Sequence, residues 1–143
     1  MRRMSAIFII LAAVACASPN RGYVDALAPA ADIGDTVECE GDVCKLYWER
    51  SKLWIIRHSQ FKIQAVTDAT IQTYKSQADQ QSYGFTVIKE PIVGSTYRIQ
   101  IGAFCGNVDG CDVPQADLKR AFYYYLVNGQ DLLIGAGYMK SVN

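Results

Sequence analysis

The chain has 143 residues, half of them hydrophobic and 20% charged, which suits one globular domain and leaves little room for a second. Its formal charge is zero. Without a basic excess or stripe to neutralise phosphates, the composition argues against nucleic acid as a partner, and against attachment to anionic lipid through a polybasic segment.

Met1-Arg2-Arg3-Met4-Ser5 is a short positive head, and Ala6 to Ala15 is an unbroken apolar run of ten residues. A spanning helix needs about 20 such residues. A run half that length, ending in small residues, predicts a secretory signal over residues 1–15. The alternative is a buried N-terminal helix. Two cuts fit the signal. Ala15-Cys16-Ala17 would release a soluble protein beginning at Ser18. Ala13-Val14-Ala15-Cys16 resembles the lipobox of bacterial lipoproteins, with Ala13 where Leu is usual.

The cysteines favour the second cut. There are five, and Cys39, Cys44, Cys105 and Cys111 form two close pairs, leaving Cys16 over. A leftover cysteine in an exported protein asks for a use, and lipidation supplies one. The resemblance implies cleavage before Cys16, attachment of diacylglycerol and a further acyl chain such as palmitate, and a membrane anchor without a spanning helix. Ala17, rather than Asp, after the modified cysteine implies the cell outer membrane, facing the periplasm. Each buried CH₂ contributes about 0.8 kcal/mol, so two or three chains hold firmly where one does not. Loss of Arg2 and Arg3 with the signal turns the net charge to about −2.

Residues 16–35 lack periodicity and are rich in Ala, Pro, Gly and Asp, which predicts a flexible tether of roughly 25 Å. The domain is expected over residues 36–129. A helix should run from Asp42, as N-cap, to about His58, with Cys44, Trp48, Ser51, Ile55 and His58 on its buried stripe. Tyr47 and Trp54 widen that stripe. Leu46, Leu53 and Ile56 fall near or beyond its edges, so more than one side of the helix is expected to be covered.

After Ser59 the period changes to two. Ile63, Ala65 and Thr67 alternate with Lys62, Gln64 and Val66, and after a weak break at Asp68-Ala69, Ile71 and Thr73 alternate with Thr70, Gln72 and Tyr74. Lys75 to Ser82 reads as a polar loop. Tyr83, Phe85 and Val87 face one way in the next strand, which Pro91 should end. After a turn at Val93-Gly94-Ser95, Tyr97, Ile99, Ile101 and Ala103 share a face. Pro114 opens a second helix with Leu118, Ala121, Phe122, Tyr125 and Leu126 as its stripe, and Gly129 stops it. The predicted fold is α+β, a two-layer sandwich in which both helices cover one face of an antiparallel meander of three or four strands. Residues 130–143 contain Leu132-Leu133-Ile134, apolar enough for a tail that docks or adds an edge strand.

Cys39, Cys44, Cys105 and Cys111 can form disulfides or a four-thiolate zinc site. Their spacing is wider than a zinc knuckle, and export favours oxidation. The expected pairing is local, Cys39–Cys44 and Cys105–Cys111, with crossed pairing as the alternative. No cofactor or metal is expected. The one histidine, His58, reads as a helix C-terminal residue, where positive charge is favourable. Glu49, Asp68, Glu90, Asp109, Asp112 and Asp117 have no distinctive spacing for a carboxylate pair.

The run Cys39, Cys44, Trp48-Glu49-Arg50, Trp54, His58-Ser59, Lys62-Ile63-Gln64, Thr67-Asp68, Ile71-Gln72-Thr73-Tyr74, Cys105-Gly106-Asn107 and Gly110-Cys111 resembles a group of uncharacterised small proteobacterial lipoproteins. The likeness spans roughly Val37 to Asn128. It implies an exported four-cysteine domain and no activity. The leading expectation is a non-catalytic binding or scaffolding module of the cell envelope, whose partner is an envelope protein or peptidoglycan. Its candidate surfaces are the wet face of the sheet (Lys62, Gln64, Gln72, Arg98, Gln100) and two tyrosines of the second helix (Tyr123, Tyr124). A cell-wall or lipid hydrolase and a secreted inhibitor of a hydrolase are the alternatives.

Overall fold

The computed structural model of the protein describes residues 25–135. The predicted signal peptide, Cys16, the first part of the predicted tether and residues 136–143 lie outside the described residues. A 3₁₀ turn at Ala28–Ala30 comes first. Strand β1 (Val37–Glu40), helix α1 (Gly41–His58), strands β2 (Ile63–Val66), β3 (Thr70–Thr73), β4 (Tyr83–Val93) and β5 (Thr96–Cys105), helix α2 (Gln115–Asn128) and a single turn, α3 (Leu132–Gly135), follow. The strands form one sheet in the order β1-β5-β4-β3-β2, every neighbour antiparallel.

The predicted α+β sandwich is the fold. Ile71, Phe85, Val87, Ile99, Ile101 and Ala103 line the covered face of the sheet. Trp48, Trp54 and Ile55 of α1 and Leu118, Ala121, Phe122 and Leu126 of α2 are buried with them in one core. Ser51 is also buried within α1, where its hydroxyl donates to the Tyr47 carbonyl at 2.8 Å and so avoids an unmet polar group. Leu46, Leu53 and Ile56 are exposed, against the expectation that more than one side of α1 is covered.

The meander has four strands, and β1 adds a fifth that the sequence did not suggest. It pairs with β5 from Val37↔Ile99 to Glu40↔Thr96. Four residues between polar flanks carry too short an alternation to read as a strand. Helix α1 then starts at Gly41, one residue before the expected N-cap, and Asp42 in its first turn pairs with Lys45 at 2.7 Å instead of capping.

The domain also begins earlier than expected. Leu27 and Ala30 are buried in the core, so residues 25–35 belong to the domain and not to a tether. Leu132 and Leu133 are buried too, which docks the start of the predicted tail.

Ile63 and Ala65 are half-buried and Gln64 and Val66 exposed, as the alternation predicts, although an irregularity between Ile63 and Ala65 places Ala65 opposite Gln72 and Val66 opposite Ile71. One strand expectation is corrected. Pro91 does not end β4, which runs to Val93 and pairs Pro91 with Tyr97. The β3 ladder stops at Thr70↔Ile88, so at Pro91 only β5 lies alongside, and the missing N–H costs nothing.

Helix α2 ends as expected on Gly129, at φ 73°. The Arg50 guanidinium of α1 donates to the Leu126 and Val127 carbonyls at that end. A side chain at Gly129 would collide with that guanidinium, since a Cβ there would lie 2.7 Å from the nearer nitrogen.

Tyr123 is a correction to the two tyrosines expected to offer a partner surface. It is buried, and its hydroxyl accepts the Ile101 N–H at 3.1 Å. β1 reaches no further than Ile99, so this N–H has no strand opposite it. Burial pushes the Tyr123 phenol above its usual range, the bond from Ile101 opposes that, and nearby Asp35 adds to it. The folded state therefore favours the neutral phenol. Its contribution is present below the unfolded pKa of about 10 and fades as pH rises through the higher folded value. Tyr123→Phe is expected to lower stability by about 1–3 kcal/mol in urea at pH 7, because the buried Ile101 N–H loses its acceptor. It is also expected to flatten the fall of stability above pH 10.

Candidate functional site

Three loops and two helix ends meet at one end of the sandwich. The loop from Lys75 to Ser82 lies against the beginning of β4 and the chain just beyond β5. Two glycines allow this. A Cβ on Gly84 would lie 2.7 Å from the Tyr74 carbonyl oxygen, and one on Gly106 would collide with the Ser76 carbonyl. Ser76 is buried at that contact, with its hydroxyl donating to the Gln80 carbonyl at 3.2 Å.

The two disulfides are the expected local ones, Cys39–Cys44 and Cys105–Cys111, with Cα separations of 5.0 and 6.1 Å. The first ties β1 to the first turn of α1. The second closes the loop after β5 beside the glycine contact. The four sulfurs are thus bonded in pairs and not arranged as thiolate ligands.

Between these loops and the helices lies a cleft of about 80 Å³. Its floor is apolar, with Phe85, Val113, Leu118 and Leu133 all buried. Its rim carries Gln60, Gln81, Ser82 and Asp112. The Tyr83 hydroxyl donates to the Val113 carbonyl at 2.8 Å across this wall, and burial pushes that phenol up from its usual range. A shallower groove of about 450 Å³ continues outward over Phe61, Asp79, Gln80 and Asn107, sharing Gln60, Gln81 and Ser82 with the cleft.

His58 also lines the cleft. It is the last residue of α1, and its Nε2 lies 2.8 Å from Asp131 Oδ2. Both side chains are almost wholly buried, at 6% and 5% exposure. The other Asp131 oxygen accepts the Leu133 N–H at 3.3 Å, which caps the short α3 turn. The Trp54 ring covers the imidazole at a centroid distance of 4.4 Å. The pair therefore joins α1 to the docked tail and seats Leu133 in the cleft floor. Ser59 does not approach His58. Its hydroxyl donates to the Phe61 carbonyl and accepts the Phe61 N–H, at 2.9 and 3.0 Å. Among the described residues the imidazole's hydrogen-bond partner is Asp131, not Ser59.

The sequence-derived candidates sit elsewhere. Lys62, just before β2, and Gln64 on it are exposed, while Gln72, Arg98 and Gln100 are half-buried on the open face of the sheet. Arg98 donates to Glu38 at 3.0 Å, and Gln100 to Glu90 at 3.3 Å. Tyr124 is half-buried, with its hydroxyl 3.5 Å from the Gln130 side chain. None of these reaches the cleft. The groove amides Gln60 and Gln81 carry no local pattern that marks them. Asp131 had one usable signal, its place just before Leu132-Leu133-Ile134, where a helix cap belongs.

No family model matches the chain, and neither a curated protein nor a solved structure is significantly similar to it.

The cleft rests on two contacts that can be tested separately. Gly106→Ala is expected to push the Ser76 loop outward and to lower stability by about 1–3 kcal/mol, read by urea unfolding. Faster hydrogen exchange at residues 75–82 should accompany it. Removing either His58 or Asp131 alone is expected to cost about 1–3 kcal/mol, because a buried hydrogen-bonding partner is stranded. A double-mutant cycle should return a coupling of about 0.5–3 kcal/mol; additive losses would show that the two side chains do not interact.

Proposed function

We propose that the protein is a lipid-anchored module of the bacterial cell envelope that binds a ligand in the groove at the end of its sandwich and performs no reaction of its own. The groove carries this reading. Its walls are held by a disulfide and by close backbone contacts, and its rim presents amides and a hydroxyl. Its imidazole is committed to a carboxylate and not to the Ser59 hydroxyl.

The anchoring half of the proposal rests on the sequence. The apolar run, the lipobox-like Ala13-Val14-Ala15-Cys16 and the odd cysteine support acylation of Cys16, and Ala17 supports delivery to the outer membrane, facing the periplasm. The described fold begins at residue 25. Nine residues reach at most about 30 Å from Cys16, so the domain would stand close to the lipid headgroups. There it could meet an envelope protein or peptidoglycan. The open face of the sheet (Lys62, Gln64, Gln72, Arg98, Gln100) is the second surface available to a partner.

A second reading is a cell-wall or lipid hydrolase. It is favoured by the placement of His58 and Asp131 beside a cleft that Ser82 also lines.

Intact mass and fractionation test the anchor. The native product is expected to begin at Cys16 and carry acyl chains, and Cys16→Ser is expected to leave it unacylated and in the aqueous fraction. A wild-type product that retains residues 1–15, or that is soluble with a bare thiol, overturns the anchor. Photo-crosslinkers at Gln60 and Gln81 in intact cells should capture a ligand that one at Gln100 does not; failure of both groove positions counts against the groove.

A further inference from the structure

We infer that two copies of the chain pair through the outer face of α1, with the two helices parallel about a twofold axis. The pairing depends neither on the groove nor on the lipid anchor.

The outer face of α1 is apolar where a solvated helix is usually polar. Val43, Leu46, Leu53 and Ile56 are between 40% and 61% exposed. At about 100° per residue, Leu46 and Leu53 fall about 20° apart, on the side of the helix opposite Cys44, Trp48, Ser51 and Ile55 in the core. They are seven residues apart, the spacing of a seam that faces another helix. A shallow groove between them takes in Glu49 and Arg50.

The charges beside the seam select the occupant. Asp42, Glu49 and Ile56 run down one edge, about 30–70° from the seam, and Val43, Arg50 and Arg57 run down the other at matching angles. One edge is thus acidic and the other basic. A partner of a single charge sign would be repelled by one of them, and a lipid surface calls for a basic border on both sides. A second copy of the chain satisfies both edges at once. In a parallel twofold pair, the acidic edge of each copy meets the basic edge of the other, and Glu49 stands level with Arg50 of the second copy on both sides of the seam. In an antiparallel pair like edges meet, with Glu49 on Glu49 and Arg50 on Arg50. Flanking charges set helix orientation in this way in coiled coils.

The bonds already present allow this pairing. Arg50 is held at its edge by the Leu126 and Val127 carbonyls, so its charge is fixed beside the seam. Glu49 and Asp42 each pair with a lysine three residues on, Lys52 and Lys45, and both carboxylates stay largely exposed. Such surface pairs rearrange at little cost. One helix face is at the small end of stable interfaces, so a dissociation constant in roughly the micromolar range is expected.

The test uses the full chain in a density-matched detergent, read by sedimentation equilibrium. A monomer–dimer equilibrium is expected. Leu46→Lys/Leu53→Lys and, separately, Glu49→Arg are each expected to weaken it about tenfold or more. The melting temperature should hardly move, because the replaced side chains are exposed and Lys and Arg are good helix formers. Oxidation of single-cysteine variants reads the direction. Leu46→Cys and Leu53→Cys chains are each expected to link to their own kind. A mixture in which position 46 of one chain links mainly to position 53 of the other means an antiparallel pair and overturns the inference. A dimer that tolerates both charge variants overturns it as well, since shared micelles alone would explain it. So does a chain that stays monomeric at every concentration, whether residues 136–143 of the same chain or lipid occupy the face.

Discussion

The position of one indole governs the arrangement of this molecule. Trp54 lies on α1 with no exposed surface, and its ring meets Phe85 of β4 and Phe122 of α2 in near-perpendicular contacts at 5.6 and 5.2 Å. Edge-to-face pairs of this kind add about 0.5–1.5 kcal/mol each to simple burial. They also fix three elements at once, because moving either helix along the sheet would unseat one ring. The indole N–H has no hydrogen-bond partner among the described residues, a cost the packing must exceed. The same ring covers His58, so the core and the cleft share a wall.

Around that centre, the ends of the sheet are finished by side chains where strands run out. Beyond the last pair of β1 with β5, Tyr123 takes the Ile101 N–H. Beyond the last pair of β3 with β4, the Thr73 hydroxyl takes the Phe85 N–H at 2.8 Å. A buried backbone donor must be met by something, and a hydroxyl in the right rotamer serves as well as a strand. The groove lies at the end where Thr73 fills that role. There β4 continues past β3, and the freed space is occupied by the loop from Lys75 to Ser82, held close by Gly84 and Gly106.

The buried His58–Asp131 hydrogen bond extends this logic to the C-terminal segment. His58 and Asp131 are far apart in the chain, yet both are almost wholly removed from solvent. Such pairs contribute little net stability compared with apolar packing, but they penalise any arrangement that separates them. Here the arrangement they enforce is α3 against α1, with Leu133 in the cleft floor and Asp131 capping the turn. A proton-transfer pair in this position would look the same, which is why the hydrolase reading has a specific feature to stand on.

Periodicity by itself marked the core of both helices. Cys44, Trp48, Ser51 and Ile55, and Leu118, Ala121, Phe122, Tyr125 and Leu126, are buried as their spacing predicts, since a stripe repeating every 3.6 residues can be covered by only one neighbour. The alternation of Phe85, Val87, Ile99 and Ile101 likewise determined the covered face of the sheet, and the short cysteine separations pointed to local disulfides. Tertiary contact alone decided the rest. β1 is too short to alternate visibly and exists because β5 offers it a free edge. Tyr123 lies inside although its neighbour Tyr124 is half-exposed, because one N–H on β5 needed an acceptor. The groove gathers residues from His58 to Leu133, and no local spacing can encode a surface whose parts come together only when separate segments fold against one another.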